Sequence, residues 1–406
     1  MERFNEVVGK EGKSYEGFIL KDVNLSKRSF EGVMNFSKAE FHGNVNISST
    51  TFQDVAFFKG ATFFDKANFR ESRFIHETVF TDCDFRNDAD FHDTRFDGKA
   101  YFKRIRFQTG LFSNAVFGGK CIFSPKQADI QAKPVIPTFH TANFTGSHFE
   151  KGGSFDHCII PLGTFEDSSI QNVSFREVNL DEVRFAGAHM DFAYLSDSEW
   201  TLDLHGSQQY QGILHWARVH DPRLVVREEM EARELQTTDG PERVKAFKKA
   251  ESTYRRIKHS LANEGSYERA GEFYIHEMRM KKERYAITQG AIAKWNFLWN
   301  ILYSWTCGYG ERPKRVFLNA FLVIFIFSLL YTGFNGIQKS SEEDSGEEYD
   351  PTFRECLYFS VVTFTTLGYG DYSPKDSFQL IAVLEAFLGA FTMALFVLVF
   401  GRKVMR

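Results

Sequence analysis

The sequence has little cysteine, little net charge and no recognisable catalytic arrangement. Its 406 residues carry a formal net charge of −4, which argues against a large basic surface that would bind nucleic acid. No Ser/His/Asp, metal-ligand or phosphate-loop spacing occurs, so we expect neither an enzyme nor a bound cofactor. The cysteines are scattered, which indicates small buried residues in a reducing compartment. They are Cys83, Cys121, Cys158, Cys307 and Cys356.

A secretion signal is also missing at the N-terminus. Residues 1–17 form a polar and charged leader without the apolar stretch of a signal peptide. We therefore expect this leader, and the domain that follows it, to remain in the cytoplasm.

Phenylalanine, by contrast, is abundant, and its 45 copies recur with a strict period. Two interleaved series each advance by eleven residues, and a small residue lies two positions before most members. After Phe155 the large apolar residues recur every five residues. These spacings fit neither a helix nor a simple strand. The series are Phe36, Ile47, Phe58, Phe69, Phe80, Phe91 and Phe102, and Phe41, Phe52, Phe63, Phe74, Phe85, Phe96 and Phe107.

A solenoid with four sides per coil satisfies these spacings, because each five- or six-residue unit then forms one side with its large residue pointing inward. The pattern resembles the pentapeptide-repeat family, which implies a right-handed quadrilateral β-helix over residues 18–200. That length predicts about eight coils in a rod of about 40 Å. Three prolines predict a loop over residues 124–138. A rigid spacer, a contact between subunits and a sensor of an unknown cytoplasmic ligand or protein all remain open as its role.

Residues 201–311 predict a helical connector. The segments Pro241–Asn263 and Ser266–Tyr285 predict two helices joined by a short turn. This pair resembles a single tetratricopeptide-like hairpin, and a generic helical hairpin fits the sequence equally well. Trp295, Trp299 and Trp305 then cluster before an apolar segment, which is typical of a segment that lies at a membrane interface.

Two apolar segments near the C-terminus, residues 316–334 and 378–400, are each long enough to cross a hydrocarbon core of about 30 Å as helices. Between them lies Thr365-Thr366-Leu367-Gly368-Tyr369-Gly370-Asp371. Non-helical backbone at membrane depth is tolerated only where it is buried or lines a cavity. Backbone carbonyls of such a loop can replace the water shell of K⁺, and glycine permits the backbone conformations that align them.

This arrangement resembles the pore domain of a two-transmembrane potassium channel, over residues 312–406. Its elements would be a first span (316–334), a pore helix (352–365), a selectivity filter (366–370) and a second span (378–400). Leu367 stands where the family usually has valine, which leaves a weakly selective cation channel as an alternative. The resemblance implies no cofactor, with K⁺ as the permeant ion on the carbonyls of Thr366, Leu367, Gly368 and Tyr369. The implied filter residues are Thr366, Leu367, Gly368, Tyr369 and Gly370.

The resemblance also implies residues that support the filter. Asp371 would lie at the outer mouth, where a carboxylate attracts cations. Tyr358 would bond to Asp371 behind the filter, and the ring of Tyr369 would pack outward against the pore helix. Thr365, at the end of that helix, would complete the support.

Two residues of the second span have open roles. Gly389 lies nineteen residues beyond Gly370, about where the family often has a hinge glycine. Glu385 lies one helical turn earlier, and a carboxylate at membrane depth must find a partner or water. A structural hydrogen bond to the pore helix and a titratable group facing the cavity both fit Glu385.

Charge sets the expected topology. Basic residues precede the first span and follow the second, and the loop between the spans is acidic, so both termini are expected in the cytoplasm of a prokaryotic cell, with the protein in its plasma membrane. One pore loop per chain cannot surround an ion, so we expect a homotetramer. No span repeats arginine at every third position, and six residues follow Phe400. We therefore expect the N-terminal domain to regulate the pore. The alternative function for the whole chain is a membrane-anchored interaction scaffold with a silent pore.

Overall fold

A computed structural model describes residues 12–125, 138–198, 226–235, 240–340 and 350–405. The predicted loop residues 126–137, the end of the repeats at Trp200 and most of the acidic segment before Asp350 lie outside this range. The chain divides into two units, Met1–Thr288 and Gln289–Arg406. The predicted connector, residues 201–311, is therefore shared between the two units.

Among the described residues, the first unit contains a solenoid of short parallel strands followed by three helices. The helices are Arg227–Glu234 (α1), Gly240–Asn263 (α2) and Tyr267–Ile287 (α3). The strands, among the described residues, are Lys13–Ser14 (β1), Ile19–Lys21 (β2), Ser29–Phe30 (β3), Met34–Asn35 (β4), Glu40–His42 (β5), Val45–Asn46 (β6), Thr51–Phe52 (β7), Ala56–Phe57 (β8), Thr62–Phe63 (β9), Ala67–Asn68 (β10), Arg73–Phe74 (β11), Thr78–Val79 (β12), Asp84–Asp90 (β13), Arg95–Phe96 (β14), Ala100–Lys103 (β15), Arg106–Leu111 (β16), Val116–Phe117 (β17), Cys121–Ser124 (β18), Phe139–Asn143 (β19), His148–Phe149 (β20), Gly153–Ser154 (β21), Gly163–Thr164 (β22), Val173–Ser174 (β23) and Val183–Arg184 (β24).

The solenoid has four faces, as predicted. One face is the sheet β1-β4-β8-β12-β15-β18-β21-β23, and a second is β3-β7-β11-β14-β17-β20. Strand β13 forms part of the other two, because Asp84 and Phe85 pair with β9 while Ala89 and Asp90 pair with β10. Partners on neighbouring coils lie 22 residues apart in the middle of the solenoid, twice the period of eleven, and 20 residues apart near its end. The structure has about seven turns, close to the eight predicted.

The core of the solenoid consists of stacked phenylalanine columns. In the first column, the ring centroids of Phe41, Phe63 and Phe85 lie 4.6 and 4.4 Å apart with nearly parallel planes. Each such aromatic contact adds about 0.5–1.5 kcal/mol to the gain from burial. In the described coils, the columns are Phe41, Phe63, Phe85, Phe107 and Phe139; Phe30, Phe52, Phe74, Phe96, Phe117 and Phe149; Phe36, Phe58, Phe80, Phe102, Phe123, Phe155 and Phe175; and Phe69, Phe91, Phe112, Phe144, Phe165 and Phe185.

Helices α1–α3 cap the last coil of the solenoid. Within the described residues, no further coil pairs with the backbone groups of this coil, so other groups must satisfy them. The Glu264 carboxylate accepts hydrogen bonds from the N–H groups of Leu195 and Ser196, at 2.7 and 2.9 Å. The guanidinium of Arg269 donates to the carbonyls of Ser196 and Ser198. The predicted helical hairpin is thus the end of the solenoid rather than a free connector.

A buried carboxylate holds the three helices together. Glu229 of α1 accepts a hydrogen bond from the Tyr254 hydroxyl of α2 and lies beside His276 of α3 and Arg233. Burial raises the pKa of Glu229, but the opposing effects of His276 and Arg233 are larger and hold this pKa at about 2. Glu229 is therefore ionised at neutral pH, and its charge is matched inside the cap.

Replacing Glu264 with alanine should loosen the cap. The change leaves two backbone N–H groups of the last coil without their acceptor, and hydrogen bonds to a charged group contribute about 1.5–3 kcal/mol. We expect faster hydrogen exchange at residues 195–198 of the full-length protein. Glu268→Ala, an exposed acidic position in the first turn of α3, is the matched control. Equal exchange in both variants would contradict the capping role.

The second unit contains four helices and a small antiparallel sheet. A tight turn over residues 308–312 joins the first two helices, and Gly308 begins it in the left-handed conformation, with φ 56°. The two longest helices begin three residues before and one residue after the predicted spans. The described elements are Ala291–Cys307 (α4), Pro313–Gly333 (α5), Ile337–Lys339 (β25), Phe353–Phe364 (α6), Tyr372–Pro374 (β26), the 3₁₀ helix Asp376–Phe378 and Gln379–Val404 (α7).

Helices α5 and α7 are long and apolar enough to cross a membrane, and most of their surface is uncovered within the chain. A core helix of a soluble protein would be mostly buried. Helix α4 is also unusual, since Lys294 is its one charged residue and Trp295, Trp299 and Trp305 are each more than half exposed. These features indicate a membrane protein whose spans are covered by lipid or by other chains.

Candidate ion pathway

The loop between α6 and β26 has an alternating backbone conformation. Thr366, Gly368 and Gly370 have φ values of 57°, 58° and 79°, whereas Leu367 and Tyr369 do not enter the left-handed region. The sequence predicted this conformation for the two glycines. Thr366 is a third residue with left-handed backbone, and this conformation destabilises a residue with a Cβ by about 1–3 kcal/mol. The alternation is of the kind that can aim successive carbonyl groups at a bound ion.

The start of the loop is anchored to the last turn of α6. The N–H of Thr366 donates to the Thr363 carbonyl at 3.0 Å, and the N–H of Leu367 donates to the Val362 carbonyl at 3.0 Å. The Thr365 hydroxyl bonds back to the Val361 carbonyl at 2.6 Å. Thr365 therefore ends the helix, and its role in supporting the filter stays a prediction.

The remaining loop side chains are exposed within a single chain. Leu367 is 58% exposed and Tyr369 is 67% exposed. The sequence predicts that the ring of Tyr369 packs outward against the pore helix. The exposure of this ring shows that it does not pack on α6 of its own chain. A Cβ added at Gly368 or Gly370 would meet no atom within 4 Å. The side chains of Leu367 and Tyr369 are thus left largely uncovered within one chain.

A sheet and two side chains fix the outer end of the loop. Strand β26 pairs antiparallel with β25, and the Asp371 carbonyl accepts a hydrogen bond from the N–H of Ser340 at 3.1 Å. The Tyr372 hydroxyl bonds to Glu355 at 3.2 Å, and the other Glu355 oxygen accepts the N–H of Thr352, which begins α6. The outer mouth is thus attached to both α5 and the start of α6.

Tyr358 lies near Asp371, as the resemblance implied. The tyrosine hydroxyl is close enough to interact with the Asp371 carboxylate, and the ring of Tyr358 lies 6.0 Å from that of Tyr372. Asp371 itself is exposed. The arrangement gives Asp371 a position beside the loop from which its charge can act on cations.

Replacing Tyr372 with phenylalanine should weaken the outer mouth without changing its shape. The variant loses one hydroxyl and its bond to Glu355, and such a bond contributes at most about 1.5–3 kcal/mol to the free energy of unfolding. We expect faster hydrogen exchange at residues 366–372 of the full-length protein, because the loop loses one restraint. Glu355→Gln should act in the same direction, and Ser377→Ala, an exposed position beyond β26, is the control. Equal exchange in all three variants would contradict a supporting role for the bond between Tyr372 and Glu355.

Glu385 connects three helices. Its side chain is fully buried, accepts a hydrogen bond from the Tyr331 hydroxyl of α5 at 2.8 Å and bonds to the Ser360 hydroxyl of α6. Ser360 also lies 3.0 Å from the Ile324 carbonyl. This geometry supports the structural reading of Glu385, because the group is enclosed between helices rather than facing a cavity.

Gly389 allows α7 to approach the end of α6. A Cβ on Gly389 would lie 1.9 Å from the carbonyl oxygen of Phe364, the last residue of α6. Helix α7 runs unbroken through this position. The role of Gly389 as a hinge stays a prediction, and the structure adds a packing role that spacing alone could not reveal.

Comparison with known proteins agrees with these two units. Residues 317–406 match a family described as "Ion channel", and residues 36–84 and 58–104 match "Pentapeptide repeats (9 copies)". The two pore potassium channel a of Oryza sativa subsp. japonica is 39% identical over 77 residues, which are 19% of this chain and 21% of that protein. The chain thus spans about a fifth of the length of this relative. The predicted fusion of pentapeptide repeats with an ion channel domain is confirmed, and these matches point to a channel rather than an enzyme.

Proposed function

We propose that this chain forms a potassium-selective channel that conducts K⁺ passively through a tetrameric pore. The observation that carries the proposal is the alternation of left-handed residues at Thr366, Gly368 and Gly370, in a loop between two membrane-length helices. Such a loop presents carbonyl oxygens that can replace the water around a K⁺ ion. The named activity of the rice relative supports the same ion.

Four chains are needed to complete this pathway. One loop supplies one side of an ion site, and a closed ring of identical chains supplies the others. The exposed side chains of Leu367 and Tyr369, and of Phe387 and Phe391 on α7, offer apolar surface for the contacts between subunits. The basic residues before the first span and after the second would place the first unit of every chain in the cytoplasm, where it gates or modulates the pore.

Flux from proteoliposomes tests the proposal. Vesicles carrying the full chain should release K⁺, exclude Na⁺ and be blocked by Ba²⁺, a cation that competes for the same carbonyl oxygens. Gly368→Ala is the matched control, since its φ of 58° disfavours any side chain while no neighbour in the chain lies within 4 Å. Equal K⁺ and Na⁺ flux would favour a weakly selective channel. No flux from an assembled tetramer, with or without the first unit, would favour a membrane-anchored scaffold.

A further inference from the structure

Side chains of α5 bond to the end of α4 across the turn that joins the two helices, residues 308–312. The Asn319 amide of α5 donates to the carbonyls of Trp305 and Thr306 at the end of α4, at 3.1 and 2.9 Å. The Arg315 guanidinium donates to the Ser304 carbonyl at 3.0 Å. These bonds satisfy carbonyls that a helix end leaves open. These bonds tie α4 to the start of α5, and residues 291–319 are called the elbow below.

The C-terminal end of α7 is attached to this elbow. Arg402 of α7 forms an ion pair with Glu311 of the turn, with 3.2 Å between nitrogen and oxygen. The Glu311 side chain is only 10% exposed, so this pair is less screened by solvent than a surface pair. Next to it, Cys307 of α4, Val316 of α5 and Val399 of α7 form a small buried cluster.

We propose that the Glu311–Arg402 pair couples α4 to the inner end of α7 and thereby sets the balance between open and closed pores. The inference rests on the proposed function, in which the α7 ends of four chains surround the conduction path. Glu311 is a positioning residue in this account, since it acts on the pathway through Arg402 and touches no ion. Because three residues separate α3 of the first unit from α4, a displacement of α4 would be carried to α7 through this pair.

A charge-exchange experiment tests the coupling in the full-length protein. Single-channel recording should show that E311Q and R402Q shift the ratio of open to closed time in the same direction, by about fivefold or more. The exchanged pair E311R/R402E should return this ratio to within about twofold of the unsubstituted protein. Lys403→Gln, an exposed neighbour with the same change in charge, should leave the ratio unchanged. Unaffected single variants, or a double variant whose effects merely add, would overturn the proposal.

A second readout separates this proposal from the proposed function. Hydrogen exchange of residues 395–404 reports on the attachment of α7 whether or not the protein conducts. We expect faster exchange in E311Q and R402Q and recovery in E311R/R402E. If exchange recovers in E311R/R402E but the unsubstituted protein carries no selective current, the proposed channel function is contradicted. The attachment of α7 through the Glu311–Arg402 pair is then still supported. Unchanged exchange in both single variants would overturn the attachment itself.

Discussion

Replacing Gly389 with alanine should abolish the native packing of the second span against the pore helix. The added methyl group would lie 1.9 Å from the Phe364 carbonyl oxygen and 2.7 Å from its carbonyl carbon. Both atoms belong to the backbone, so neither can rotate away as a side chain would. Overpacking costs about 1–3 kcal/mol where neighbours adjust. Since Phe364 ends the helix that holds the filter loop, we expect the cost to exceed this range and the selective current to be lost.

Gly401→Ala is the matched control, because it adds the same group to the same helix. The nearest atom to a Cβ at Gly401 is the Cε of Met405, at 4.0 Å, which is an ordinary contact. Alanine there should be neutral or stabilising, by about 1 kcal/mol. Tetramer stability in detergent and K⁺ flux would be measured for both variants. A Gly389→Ala protein that assembles normally but opens differently would favour the hinge over packing.

Replacing Glu385 with leucine should strongly destabilise the packing of the second unit. The substitution removes the shared acceptor of Tyr331 and Ser360, and each buried polar group left without a partner costs about 1–3 kcal/mol. The hydroxyl of Ser360 retains the Ile324 carbonyl as a second partner, so most of the expected loss arises at Tyr331. Thermal unfolding of the detergent-solubilised protein measures the effect.

Glu385→Gln distinguishes hydrogen bonding from charge. Glutamine has nearly the same shape and keeps an oxygen for one hydroxyl, so we expect most of the stability to return. Tyr331→Phe and Ser360→Ala each delete one bond and should have intermediate effects. A glutamine variant as unstable as the leucine variant would show that the carboxylate charge, not the bonding, is required.

The repeat and the spans could be predicted because their signals are local and periodic. A phenylalanine at every fifth or sixth residue has one compact solution, and the columns through Phe41 and Phe58 follow directly from it. The spans follow from length and composition. The alternating loop was predicted in part, since glycine reveals a left-handed position while Thr366 does not.

The supports of the loop and the end of the solenoid could not be predicted in the same way. Glu385 meets partners 25 and 54 residues earlier in the chain, and no spacing within one helix records such contacts. Glu264 lies 69 residues from Leu195, which it caps. Gly389 shows a further limit, because the sequence does not distinguish a glycine required for flexibility from a glycine required for close packing.

The reversal potential in a planar bilayer tests the central claim most directly. With equal concentrations of K⁺ on one side and Na⁺ on the other, a pathway of aligned carbonyls around K⁺ should give a large reversal potential of the sign that opposes K⁺ efflux. A value near zero would mean that the pore does not distinguish the two ions, and it would contradict the account.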